Sequence, residues 1–305
     1  MMPRIRFGPA GKPMGFKGAM DAVPAYLRSI GLDALEYEAV RGVRISEEKA
    51  RLLGEEAKKY DVLLSMHAPY YINLASKENA KLEASRRRLF EAVRASHWME
   101  AYAVVFHPGY YKGWASKKSA VARVIEQLRI LREELESNGY TYPWIAPETT
   151  GKSSQVGSVE DVIEICTEIE KCRPAVDWAH LYARSEGGFI LTVDDVLKVI
   201  EKIEKELGSE AVRPLHTHFS KIEYGRGGER MHHTLSEEEY GPEWIIVCKA
   251  YIMTGIDAVI ISESPILDED AQLMIKICRE VLQDGSVKAP TPVSEITISP
   301  GKEGR

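Results

Sequence analysis

His67, His107, Glu148, Asp177, His216 and Glu263 each close a short apolar run. Imidazole and carboxylate groups delivered in this way are the side chains that hold divalent metal ions. The runs read Leu64-Ser65-Met66-His67, Val104-Val105-Phe106-His107 and Ile145-Ala146-Pro147-Glu148, with similar runs before Asp177, His216 and Glu263. His180 follows Asp177 by one helical turn, and Glu229 and His232 lie in the loop after His216. One such residue alone is ordinarily scaffolding. Here five of the eight histidines, His67, His107, His180, His216 and His232, fall at one expected rim. A mixed imidazole and carboxylate set suits zinc, with manganese or iron as alternatives, whereas calcium and magnesium prefer oxygen alone. Five histidines with four carboxylates exceed the needs of one ion and suffice for three if one carboxylate bridges. Clustered ions can clamp the attacking and leaving oxygens of a phosphate ester. Three other histidines are set aside: His97 as helix scaffolding beside Trp98, His218 as pointing off the face of His216, and His233 as at most a supporting group.

Such residues converge only if the strands that carry them lie side by side. Apolar runs alternate with amphipathic stretches about eight times along the 305 residues. The expected strands are 4–8, 34–37, 62–66, 103–106, 144–147, 175–176, 213–216 and 258–262. The helices between them are 24–30, 47–60, 78–99, 118–138, 158–172, 193–207, 242–254 and 269–283, the second and fifth opened by the capping residues Ser46 and Ser158. This rhythm predicts an α/β fold, a single (β/α)8 barrel over residues 1–284 with its site at the C-terminal mouth of the strands. Residues 285–305 read as a C-terminal extension. The aromatic segment Tyr140–Trp144 precedes a strand and is expected to pack at the opposite, bottom end.

Composition fits a globular enzyme, with 44% hydrophobic and 28% charged residues. No apolar run is long enough to span a membrane, and the first residues lack the apolar segment of a signal peptide. A cytoplasmic monomer is the expectation. The four cysteines form no Cys-x-x-Cys pair and are expected to be buried free thiols. Scarce Asn and Gln beside abundant Glu, Lys and Arg fit a thermophilic source. A net charge of −6 argues against nucleic acid as partner. Metal ligands inflate the acid count, however, and bound cations reverse it locally.

With these motifs in view, the chain resembles the endonuclease IV family of apurinic/apyrimidinic endonucleases, within the xylose isomerase-like barrels. The resemblance rests on His67-Ala68-Pro69-Tyr70-Tyr71-Ile72-Asn73-Leu74-Ala75-Ser76, Phe106-His107-Pro108-Gly109, Glu148-Thr149-Thr150-Gly151, Asp177-Trp178-Ala179-His180, His216 with Ser220-Lys221, His232-His233-Thr234-Leu235 and Ser262-Glu263-Ser264-Pro265. It implies three zinc ions: one on His67, His107 and Glu148; a second on Glu148, Asp177, His216 and Glu263; a third on His180, Glu229 and His232. It also implies hydrolysis of the phosphodiester 5′ to abasic sites in damaged double-stranded DNA, by metal-bound hydroxide, with Glu148 and Glu263 as the carboxylates at the reacting phosphate. The chain departs from the family in three loops. Glu229-Arg230-Met231-His232 stands where Asp-x-His is usual, and the loops Val40–Arg44 and Gly109–Lys112 differ from their counterparts.

Basic residues expected around the mouth include Arg41, Arg44, Lys112, Lys117, Lys118, Arg184, Lys221, Arg226 and Arg230, which suit phosphate contacts. By the resemblance, Tyr70, with Tyr71 beside it, is a wedge at an extruded nucleotide. The rival enzyme is a single-metal sugar isomerase or epimerase of the same superfamily, needing only Glu148, Asp177, His216 and Glu263. A non-catalytic DNA-damage binder is the third reading. His67, His107, His180, Glu229 and His232 favour the nuclease.

Overall fold

The computed structural model describes residues 4–140, 143–285, 287 and 297–298. In chain order it runs β1 (Arg4–Pro9), a 3-10 turn, α1 (Val23–Ser29), β2 (Ala34–Glu38), α2 (Glu47–Lys59), β3 (Leu63–His67), α3 (Asn79–Trp98), β4 (Ala103–Phe106), β5 (Gly109–Tyr110) and α4 (Lys117–Ser137). There follow β6 (Trp144–Pro147), β7 (Gln155–Val156), α5 (Val159–Glu168), β8 (Ala175–Asp177), α6 (Trp178–Arg184), α7 (Val193–Leu207), β9 (Leu215–Phe219), β10 (Lys221–Gly225) and β11 (Gly228–His233). Last come α8 (Trp244–Thr254), β12 (Ala258–Ser262), α9 (Asp268–Gln283) and β13 (Thr297–Ile298), which pairs with β1.

Eight of these strands are the eight expected from sequence. Two parallel sheets, β1-β12-β9-β8 and β2-β3-β4-β6, meet through the parallel bridges Ala10–Glu36 and Glu148–Ala175. The result is a (β/α)8 barrel. Its helices start where side chains satisfy the first backbone N–H groups: Ser46, Ser116, Ser158 and Thr192 each accept at their helix N-terminus. The main core fills the space between strands and helices, and Phe7, Phe106, Trp178, Phe219 and Trp244 are fully or almost fully buried in it. A second buried cluster, which includes Ala34, Ala103, Ala146 and Ala175 beside Val105, Val259 and Ile261, is formed by the strands themselves. Because strand side chains alternate with period two, each of these alanines is followed two residues later by a residue on the same face. That next layer includes Glu36, Val105, Glu148 and Asp177.

The structure adds local elements that the sequence reading lacked: the β5–β7 pair, the β10–β11 hairpin and the short helix α6. The expectation of four free thiols is overturned, since Cys248 of α8 and Cys278 of α9 form a disulfide. The two helices pack together and bring their Cα atoms to 5.8 Å, within disulfide reach whatever the sequence spacing. Cys166 and Cys172 are free and buried. His97 packs edge-on against Tyr140 at 5.4 Å. Thr141 and Tyr142 of the aromatic segment, and most of the stretch after 285, lie outside the described residues. Among the described residues, no helix is long and apolar enough to cross a membrane.

Candidate metal centre

Glu148 sits at the centre of the mouth and is fully buried. Its Oε2 lies 3.1 Å from His67 Nε2 and 2.9 Å from His107 Nε2. Its Oε1 lies 3.1 Å from His180 Nδ1 and 3.2 Å from His218 Nδ1. Each oxygen therefore faces a different group of donors, which is what a bridging carboxylate must do. Three donor sets gather around it: His67, His107 and Glu148; Glu148, Asp177, His218 and Glu263; and His180, His232 and Glu263. Glu263 also spans two sets, with Oε1 3.3 Å from His218 Nδ1 and Oε2 3.9 Å from His232 Nε2.

The surrounding chain decides which nitrogen each histidine presents. His67 Nδ1 donates to the carbonyl of Ala68 at 2.8 Å, which turns Nε2 toward Glu148. His180 Nδ1 lies 2.9 Å from the carbonyl of Thr149, and its Nε2 is 3.6 Å from Glu229. His232 Nδ1 contacts Ser220 Oγ at 2.8 Å. Fixing one ring nitrogen in this way orients the other toward an ion. Asp177 caps α6 by accepting from the His180 N–H at 2.7 Å, so the Asp-x-x-His spacing is one turn of a capped helix. Its other oxygen, Oδ2, is buried and accepts no hydrogen bond.

Two sequence expectations need correction. His218, not His216, joins Glu148, Asp177 and Glu263. Strand β9 continues to Phe219 instead of ending at His216, and residues two apart on a strand share a face. His218 therefore reaches the mouth, and His216 points the same way one layer deeper. Second, Arg184 and Lys221 are not free rim cations. Arg184 donates to the carbonyls of Thr150, Lys152 and Gln155, clamping the loop after β6. Lys221 is buried against the Glu237 carbonyl and pairs with Glu243 at 3.0 Å.

The departure at Glu229 has a structural resolution. On the hairpin, Glu223 pairs with Met231 and Tyr224 pairs with Glu229, leaving Arg230 as an extra residue in a bulge. A bulge resets the alternation of faces, so Glu229 and His232 both face the cavity despite two residues between them. Gly228 is required here: a Cβ would lie 2.0 Å from the Gly151 carbonyl oxygen, where the hairpin docks on the loop after β6. Tyr70 is 46% and Tyr71 66% exposed, and the Tyr70 ring lies against His67 and His107. Arg41, Arg44, Lys112, Arg226 and Arg230 are exposed, and Arg230 pairs with Glu223 at 3.1 Å.

The pocket's electrostatics call for added positive charge. Burial disfavours charged His67, but the Glu148 hydrogen bond and the charges of Glu38, Glu148 and Glu36 outweigh it and raise its pKa to about 10. His180 and His218 are raised well above the ordinary value, burial again being outweighed, by Asp177 and Glu148 for the first and by Glu36, Glu263 and Glu148 for the second. Burial, with Asp177 and Glu148 nearby, pushes Glu263 up to about 8. Glu38 is pushed up to about 7, chiefly by burial. Divalent cations at these sets would supply the positive charge that the raised pKa values call for. The donor sets, the Asp177 oxygen that accepts no hydrogen bond and this demand for cations all fit metal ions. Imidazole with carboxylate suits zinc, manganese or iron. Glu36, a ligand type that the sequence reading passed over, lies 0% exposed beneath this centre beside His216. Its place in Ala34-Leu35-Glu36-Tyr37-Glu38, on the same face as Ala34, was the signal available.

Known proteins share this framework. A sequence profile of the xylose isomerase-like TIM barrel family matches residues 24–271. The uncharacterized protein MJ0133 of Methanocaldococcus jannaschii is 37% identical over 275 residues, covering 90% of this chain and 97% of the relative. A probable endonuclease 4 of Carboxydothermus hydrogenoformans is 26% identical over 233 residues, covering 75% of this chain and 79% of the relative. Among solved structures, a D-tagatose 3-epimerase-like protein superposes with a TM-score of 0.67 at 20% identity, over 92% of this chain and 97% of that one. Endonuclease IV from Thermus thermophilus superposes with a TM-score of 0.65 at 18% identity, over 92% and 100%. These two structures bear on the fold alone. With a family profile that spans most of the barrel and a full-length relative above 30% identity, the chain belongs to the xylose isomerase-like TIM barrel family.

Proposed function

We propose that this protein is a metal-dependent phosphodiesterase that cuts DNA on the 5′ side of abasic sites. The observation that carries the reading is the number of donor sets. A sugar epimerase needs one ion, for which Glu148, Asp177, His218 and Glu263 suffice. Here two further sets adjoin that one, His67 and His107 on Glu148 and His180 and His232 on Glu263. A binder without catalysis has no use for so many ionisable groups in one buried cavity. The distant relative described as a probable endonuclease 4 supports the same direction.

His67, His107 and Glu148 would hold one ion, Glu148, Asp177, His218 and Glu263 a second, and His180, His232 and Glu263, with Glu229 beside them, a third. When bound, such ions supply Lewis acidity at phosphate oxygens and lower the pKa of water. The protein's own groups do the positioning. Glu148 and Glu263 fix the spacing between sets because each turns its two oxygens to different sides. Thr149, Ala68 and Ser220 hold the imidazoles in orientation. Tyr70 and Tyr71 present exposed rings at the cavity edge, where an extruded sugar phosphate could rest. An abasic nucleotide has no base to unstack, so turning it out costs little. Arg41, Arg44, Lys112, Arg226 and Arg230 supply exposed cations for the flanking phosphates.

The test is a duplex carrying one tetrahydrofuran abasic analogue, incubated with protein of measured metal content. The expected result is a single nick 5′ to the lesion, lost on chelation and restored by zinc or manganese. An intact duplex, together with interconversion of ketohexoses by protein holding one ion, would overturn the reading in favour of the epimerase.

A further inference from the structure

Below the described donor sets, the barrel interior holds a second group of ionisable side chains, of which Glu36 and His216 have no part in the proposed reaction and His218 reaches both layers. Glu36 on β2, His216 and His218 on β9 are each 0% exposed. Glu36 Oε2 lies 3.1 Å from His216 Nε2, Glu36 Oε1 lies 2.8 Å from His218 Nε2, and the two Nε2 atoms are 3.2 Å apart. Ser65, directly opposite Glu36 in the β2–β3 register, donates to Oε2 at 2.8 Å. Tyr102 OH holds His216 Nδ1 at 2.5 Å.

These contacts are close, yet they do not satisfy the carboxylate. Glu36 Oε1 is buried and accepts no hydrogen bond, although an imidazole nitrogen is 2.8 Å away. A carboxylate and two imidazoles gathered this closely, with one carboxylate oxygen accepting no hydrogen bond, can serve as ligands of one ion. One atom from each residue, a carboxylate oxygen and two imidazole nitrogens, lies within 4.8 Å of the others, close enough for all three to hold one ion. A fully buried carboxylate with one hydrogen-bond donor is costly unless a positive charge accompanies it. This layer of an α/β barrel is ordinarily filled by Val, Ile or Leu.

We propose that Glu36, His216 and His218 form a further divalent-cation site, one layer beneath the centre at the mouth. A borderline ion such as zinc fits its one carboxylate and two imidazoles. His218 would serve both layers, its Nδ1 facing Glu148 and Glu263 and its Nε2 facing Glu36. With ions on both sides the ring acts as imidazolate: each nitrogen gives a lone pair, and the remaining ring proton passes to solvent. The deep ion would neutralise Glu36 and pin the ligand shared with the working site. The site depends on no particular reaction at the mouth.

The test is crystallographic. Crystals of the intact protein loaded with zinc, measured on both sides of the zinc absorption edge, are expected to show an anomalous peak among Glu36, His216 and His218. Peaks at the mouth with none at this point would overturn the proposal. In solution, Glu36→Gln and His216→Ala are each expected to bind one zinc fewer per chain than the parent, by elemental analysis after gel filtration. An unchanged zinc count in either folded variant would also overturn it. The anomalous map needs no variant, and neither measurement uses DNA cleavage, so each stands apart from the fate of the nuclease reading.

Discussion

The mouth of the barrel and its rim carry polar residues under opposite constraints. At the mouth, most donors sit on or just past a barrel strand, and several are held by a second contact, as His67 is by the Ala68 carbonyl and His180 by Thr149. At the rim, Arg41, Arg44, Lys112 and Arg226 are exposed on loops. Two cations expected at the rim, Arg184 and Lys221, belong instead to the scaffold, because carbonyls of neighbouring loops claim them. On the proposed reading, the difference separates two tasks. Metal chemistry needs fixed geometry, so it is built on strands with supporting hydrogen bonds. Backbone phosphates can be met by long, mobile cations that need only be near.

This contrast can be broken most severely at Glu148. Glu148→Gln removes one of the two charged oxygens that join the sets. Nicking of the abasic duplex should fall by about a thousandfold, with bound metal reduced as measured by elemental analysis. Near-normal cleavage would mean the mouth is not the reaction centre. Arg184→Ala tests the other assignment. Loss of its carbonyl contacts should cost about 2 kcal/mol, read as a lower midpoint in urea denaturation, while DNA affinity extrapolated to low temperature stays unchanged. A weakened DNA complex without a stability loss would return Arg184 to the rim.

A smaller effect concerns pH. His67, with its pKa raised to about 10, Glu263, raised to about 8, and Glu38, raised to about 7, all bind protons more tightly in the folded chain. His180 and His218 are shifted in the same direction, while His216 and His232, lowered chiefly by burial, act oppositely. A group with a raised pKa stabilises below its unfolded value and loses that contribution as pH rises through the folded value. The metal-free protein should therefore melt several degrees lower at pH 9 than at pH 6, and added zinc should narrow the gap. A melting curve independent of pH would mean that the buried histidines carry no protons in the absence of metal. The smallest effect belongs to the rim. Arg44→Ala or Arg226→Ala should each weaken duplex binding about threefold and reduce the salt dependence by about one phosphate contact, without moving the melting temperature.

The eight barrel strands were legible because each is an apolar run between polar loops, and the family motifs lie at their ends. Period-two alternation also carried the correct placement of His218. Ending the seventh strand at His216 turns His218 off the face, whereas Leu215–Phe219 forms one continuous strand. The hairpin was harder to see. Lys221–His233 contains seven charged or histidine residues and few apolar ones, so no alternation marks it as strand. Its shape comes from docking on the loop after β6, and the bulge at Arg230 shows only in the pairing. Glu36 is hard to read from sequence, because a single acid within an apolar strand carries no spacing motif and its partners His216 and His218 come from a strand far away in sequence. The Cys248–Cys278 pairing was hidden for the same reason: thirty residues separate two cysteines that only helix packing brings together.

The hairpin also bears on how such a barrel diversifies. Donors from β3, β4, β6, β8, β9 and β12 cannot be removed without altering strands that every neighbour relies on. Glu229 and His232 ride on a peripheral ribbon seated through Gly228 and the Gly151 carbonyl, outside the closed ring of strands. A lineage could acquire, lengthen or discard that ribbon while inheriting the inner donors intact. Within one architecture, the count of ions would then change by exchanging an appendage, and the ancestry of the barrel would say less about its substrate than the ribbon does.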